Sequence, residues 1–91
     1  MTDLFNQTIA VLGGTGAEGS GLAMRWAQAG LKVIIGSRQA EKGAAAAAAF
    51  NARIGVVAHP LAGADNHSAA QAASIAVLTV PYAAHLATLG D

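Results

Sequence analysis

The chain has 91 residues, no cysteine and a formal net charge of zero, five Lys and Arg balancing five Asp and Glu. That length bounds one small domain, the missing cysteine excludes a disulfide framework or a thiolate zinc site, and the scattered basic residues exclude a footprint for nucleic acid or an anionic membrane surface. The segment MTDLFNQT lacks a basic run followed by an apolar one and no window approaches the ~18 apolar residues of a membrane span, so a cytoplasmic setting is the expectation.

Alanine supplies much of the apolar content, so the core must come from three short Ile, Leu and Val runs, TIAVLG, KVIIG and SIAVLTV, which read as buried strands. The first strand is expected over Thr8 to Leu12, ending in a glycine cluster. A helix follows from about Gly16 to Ala29, stopped by Gly30. Lys32 to Ile35 reads as the second strand, and Gln39 to Asn51 as an alanine-rich helix interrupted by Gly43, with Ser37 a candidate N-cap. Arg53 to His59 reads as a weaker third strand, because IGVVAH is apolar but carries a glycine and precedes Pro60. Asp65 or Asn66 suits the N-cap of a short helix through about Ala73. Ser74 to Val80 reads as the fourth strand, and Pro81 opens another helix.

Strands alternating with helices predict an α/β fold: a Rossmann-type, doubly wound parallel sheet of four strands in the order 3-2-1-4, one domain over residues 1–91, shorter than a full dinucleotide fold. The outer edge of strand 4 would then be open, an association hazard that makes a homo-oligomer an expectation.

Gly14-Thr15-Gly16-Ala17-Glu18-Gly19 matches G-x-G-x-x-G between a strand and a helix, where the mechanism of dinucleotide binding needs it. Gly14 permits a tight turn, Gly16 lets the backbone approach a pyrophosphate, and Gly19 lets helix and strand pack closely. The helix start offers unpaired N–H groups to the phosphates. The plainer alternative is a glycine-rich turn without a ligand. An NAD site would carry an acidic residue about 20 residues further on. Gly36-Ser37-Arg38 occupies that place, offering a hydroxyl and a guanidinium fork that suits a ribose 2′-phosphate, so the expected cofactor is NADP. Lys42 is either a second phosphate ligand or a solvated lysine, and Glu41 is read as a favourable charge near a helix start.

His59, His67 and His85 fall on three different elements without ligand spacing, so no metal site is expected. Trp26 and Phe50 are read as core residues. No residue is nominated as catalytic.

Taken together, IAVLGGTGAEGSGLAMRWAQAGLKVIIGSR and, further on, IAVLTVPYAAHL resemble the NADP-dependent reductases of the deazaflavin coenzyme F-420, a resemblance running from Ile9 to about Leu89. Related dinucleotide domains occur in pyrroline carboxylate reductases and some metalloreductases. The resemblance implies that Thr15, Gly16, Ala17 and Glu18 line the pyrophosphate, that Ser37, Arg38 and Lys42 hold the 2′-phosphate, and that Val80 and Pro81 lie beside the nicotinamide. It implies hydride transfer between NADP(H) and the deazaflavin, chemistry the cofactors carry while the protein positions them. Leu31 and Lys32 depart from the family pattern, as does Tyr82 in place of a common tryptophan, and family enzymes are more than twice as long. A non-catalytic NADP-binding module, and a reductase of another acceptor such as a small imine, remain the alternatives.

Overall fold

In a computed structural model, residues 7–13 and 17–79 are described, the side chains of residues 17 and 18 excepted. The chain runs β1 (Thr8–Leu12), α1 (Ala17–Gln28), β2 (Lys32–Ser37), α2 (Ala40–Ile54), β3 (Ala62–Asp65), α3 (Asn66–Ala72), β4 (Ile75–Leu78). All pairings are parallel and the order is β3-β2-β1-β4, the expected 3-2-1-4. The chain steps outward from β1 to β3 and then returns to the far side of β1. Crossovers of one hand therefore put α1 and α2 on one face of the sheet and α3 on the other. The direction reverses at β1, and the carboxyl ends of the strands there form the crevice in which such sheets bind ligands.

The core follows from alternation along the strands. Ile9 and Val11 of β1 and Val33 and Ile35 of β2 point to the α1/α2 face, where they meet Ala23, Ala27 and Ala47, with Met24, Trp26 and Phe50 packed around them. Val11 and Ile35 are fully buried, each worth about 1.5–3 kcal/mol against exposure. Alanine on the helices lets them lie close to the sheet. After α1 the amides of Gly30 and Leu31 turn back to the carbonyls of Ala27 and Trp26, both at 3.0 Å, which satisfies the helix end and brings buried Leu31 under Trp26.

The fourth strand, expected as a buried run over Ser74 to Val80, is Ile75–Leu78 at the edge of the sheet with Ile75 and Leu78 exposed, and three expectations about β3, α2 and Ser37 need correction. The third strand is not Arg53–His59. Helix α2 continues to Ile54, since Phe50 and Ile54 extend its apolar stripe onto the core, and it ends at Gly55 with φ of 78°. Val56, a residue the strand reading needed, is fully exposed. The strand that pairs with β2 is the small-residue segment AGAD, in register Ile34 to Ala62 through Ser37 to Asp65. Small residues are required there because α2 passes so close that a Cβ on Gly63 would overlap the Gly43 carbonyl. Asn51 secures the approach to β3: its Nδ2 donates to the Leu61 carbonyl at 3.0 Å, and the Leu61 amide donates to its Oδ1 at 2.8 Å. Second, Gly43 does not interrupt α2; it is buried inside a continuous helix of 15 residues as its contact point with β3. Third, Ser37 is not the N-cap of α2. Gln39 holds that position, without a side-chain cap bond, and Ser37 closes β2, which runs two residues beyond the expected Ile35.

The short helix α3 starts as expected. Asp65 is its N-cap, accepting a hydrogen bond from the Ser68 amide at 2.6 Å. That bond holds the Asp65 carboxyl below its ordinary value of 3.8, with the Ser68 hydroxyl and, more weakly, His67 acting the same way against a small desolvation effect. Because the folded value is depressed, the stabilisation is fully present above 3.8 and is lost as pH falls through the lower folded value. Thermal melts should show Asp65→Ala less stable than the wild type at neutral pH, with the gap closing in acid. Asp65→Asn, which can still cap, should be less sensitive to acid in that range. A gap that widens in acid would contradict the capping account.

Candidate functional site

The site is assembled at the carboxyl ends of β1 and β2. In register, Leu12 lies opposite Gly36, and the Gly13 amide donates to the Gly36 carbonyl at 3.0 Å. The glycine-rich segment therefore leaves β1 directly beside the end of β2. Gly13 takes φ of 75°, a left-handed conformation that a side chain would strain. Gly14, Thr15 and Gly16 lie outside the described residues, as do the side chains of Ala17 and Glu18. Ala17 and Glu18 open α1 in the backbone, and Gly19 is buried in its first turn.

At the end of β2 three of the expected residues fall on one connection. Ser37 is the last strand residue and is 5% exposed; Arg38 follows at once and is exposed; Lys42 stands exposed in the first turn of α2. Among the described residues no carboxylate pairs with Arg38 or Lys42. The carboxylate nearest Ser37 in register is Asp65, and it is committed to the start of α3. This donor set, a buried serine beside an exposed guanidinium and an ammonium, can meet a phosphate, although the exposed carboxylate of Glu41 stands on the same connection between Arg38 and Lys42. Glu41 also lies in the first turn of α2, beside its N-terminus.

At the other side of β1, Thr79 follows β4 and both its amide and its hydroxyl donate to the Leu12 carbonyl at 2.9 Å. This pair of hydrogen bonds to one oxygen ties the end of β4 to the end of β1. Val80 and Pro81, expected beside the nicotinamide, lie outside the described residues, with Tyr82, His85 and the helix expected from Pro81. His59 and His67 are exposed, and no group of three His, Asp or Glu able to hold a metal ion occurs among the described residues. Among the described residues no helix is long and apolar enough to cross a membrane.

Sequence reasoning missed Asn66 as part of this site. Its Oδ1 accepts from the Gly13 amide at 3.3 Å, and it lies over Gly36, where a Cβ would stand 2.7 Å from that oxygen. The signal was present as a glycine at the end of a strand with no turn to explain it.

Comparison with known proteins identifies the family. Residues 8–91 match the family described as NADP oxidoreductase coenzyme F420-dependent. The chain is 52% identical over 87 residues to an F420-dependent NADP reductase of Methanothermobacter marburgensis, covering 91% of this chain and 37% of the relative. It is 51% identical to that of Methanothermobacter thermautotrophicus, covering 91% and 36%, and 40% identical to that of Methanocaldococcus jannaschii, covering 89% and 37%. The chain thus spans a little over a third of the length of the curated relatives it matches.

Proposed function

The chain belongs to the family of coenzyme F420-dependent NADP oxidoreductases, and on that premise we propose that it is the NADP(H)-binding part of an oxidoreductase moving hydride between NADP(H) and a deazaflavin coenzyme. The observation that carries the cofactor half of this reading is the end of β2, where Ser37 and unpaired Arg38 stand in place of the acidic residue an NAD site uses.

In this reading Gly14, Thr15, Gly16, Ala17, Glu18 and Gly19 receive the pyrophosphate on backbone N–H groups at the start of α1. Ser37, Arg38 and Lys42 hold the 2′-phosphate, and Val80 and Pro81 border the nicotinamide. The bound nicotinamide supplies the hydride chemistry. The chain contributes position: the Gly13 to Gly36 bond sets the separation between the pyrophosphate loop and the phosphate end of β2, and the Thr79 to Leu12 bonds set the separation across the crevice from β4. Positioning of this kind is a large share of what a protein can add to a hydride transfer, and no proton donor or acceptor is needed from the side chains.

Titration of the protein with NADPH and NADH, followed by nicotinamide fluorescence, tests the reading. NADPH should bind at least ~10-fold more tightly, the value of about one charge-assisted hydrogen bond. Equal affinities overturn the cofactor assignment. NADPH binding without reduction of the oxidised deazaflavin by the whole protein overturns the acceptor assignment.

A further inference from the structure

We propose that Asn66 is a positioning residue for the cofactor loop, a latch from the start of α3 that presets the turn at Gly13; the inference rests on the reading of that loop as the pyrophosphate site. Asn66 is 53 residues from Gly13 in sequence, yet its Oδ1 accepts from the Gly13 amide at 3.3 Å. The same amide donates to the Gly36 carbonyl at 3.0 Å, so one N–H is shared between acceptors on two elements. Because a backbone N–H is the donor, the side-chain oxygen is the atom facing Gly13, which fixes the orientation of the amide.

The route of the side chain explains Gly36. Asn66 follows β3, and β2 lies between β3 and β1. Neighbouring strands are about 4.8 Å apart, so the side chain must pass over the end of β2 to reach the end of β1. A Cβ on residue 36 would stand 2.7 Å from Asn66 Oδ1, 3.0 Å from Leu12 Cδ2 and 3.3 Å from Ala69 Cβ. Gly36 and Asn66 therefore form one device: the glycine leaves the passage open and the amide uses it.

The device bears on binding because glycine-rich segments lose the most conformational freedom when a ligand orders them. Fixing φ of Gly13 at 75° before the cofactor arrives removes part of that loss at the first residue of the loop. Asn66 then acts on affinity through the backbone, without touching the cofactor.

The test uses the whole protein and two readouts: amide hydrogen exchange at Gly13 without ligand, and the dissociation constant for NADPH. Asn66→Ala should speed Gly13 exchange by about three- to tenfold and weaken NADPH binding by a similar factor, consistent with one lost hydrogen bond. Exchange at Val11 and Ile35, in the buried strands, should stay unchanged. Asn66→Asp, which keeps an acceptor oxygen at that place, should restore slow exchange at Gly13. Gly36→Ala, which crowds the amide out of its passage, should also speed Gly13 exchange, and should do so less when added to Asn66→Ala. It provides the second arm if the first variant is poorly folded. Gly13 exchange unchanged in Asn66→Ala, or NADPH binding unchanged when exchange is faster, overturns the inference alone. No NADPH binding by the wild-type protein overturns the functional reading, and the inference falls with it.

Discussion

Gly63→Ala is expected to destabilise the protein by about 3 kcal/mol or more, the upper range for overpacking a tight contact. The added methyl would overlap the Gly43 carbonyl and stand 2.5 Å from the Ala44 nitrogen. Those are backbone atoms in the body of α2, so no rotamer change relieves the overlap. Either the helix moves off the sheet, uncovering Ala47 and the core side of Phe50, or β3 leaves β2 and breaks the ladder from Ala62 to Asp65. The reverse substitution on the helix is equally informative. Gly43→Ala gains about 1 kcal/mol of helix propensity, yet its Cβ would overlap the Ala64 carbonyl and stand 2.9 Å from the Ala64 nitrogen. The steric cost should win, leaving both variants less stable than the wild type. Urea unfolding measures this directly, as a lower midpoint with little change in slope. Gly43→Ala at or above wild-type stability would mean that α2 and β3 are not in backbone contact. A domain of this size has roughly 5–14 kcal/mol of total stability, so a loss near 3 is a large fraction of it.

The same contact explains where sequence reading stops. β1 and β2 were legible because their apolar runs are flanked by glycine, and buried strands carry the Ile and Val that make the core. β4 was legible from IAVL, although the strand is Ile75–Leu78, shorter than Ser74–Val80, with Ile75 and Leu78 exposed. β3 was not legible, for a physical reason. Its residues are chosen by how near α2 passes, so they are small and carry no β propensity, whereas IGVVAH carries the propensity but begins inside α2, whose apolar stripe runs on past Asn51 to Ile54. A propensity signal is local; a close backbone approach is set by a partner 20 residues away in sequence, Gly43 for Gly63. The candidate site divides in the same way. Ser37 and Arg38 are adjacent in sequence and stand out at the end of an apolar strand. Asn66 was seen only as a possible cap for α3, since its bond to Gly13 spans the full winding of the chain from β1 to α3. The cap itself is Asp65, and Asn66 was left free to reach across the sheet.

Arg38→Ala should weaken NADPH binding by about 1.5–3 kcal/mol, roughly 10- to 150-fold, the range for a hydrogen bond to a charged group. NADH binding should change by no more than about twofold, since NADH lacks the group that Arg38 is proposed to meet. The size is set by two opposing features. Arg38 has no carboxylate partner among the described residues, so its charge is uncommitted before the ligand arrives and no internal ion pair must be broken. It is also exposed, so solvent screens the attraction and holds the effect to the lower part of the range. Arg38→Lys should fall between wild type and alanine, because an ammonium keeps the charge but cannot offer two parallel N–H donors. Raising salt should narrow the difference between wild type and Arg38→Ala for NADPH and leave NADH nearly unaffected. Ser37 makes a different contribution. At 5% exposure its position is fixed by the sheet, so its hydroxyl is placed without the entropy cost that Arg38 meets in ordering a long side chain. Ser37→Ala should therefore cost less than Arg38→Ala and be insensitive to salt. If Arg38→Ala lowers NADPH and NADH binding equally, the guanidinium contacts a part common to both dinucleotides, and the end of β2 does not set the choice between them.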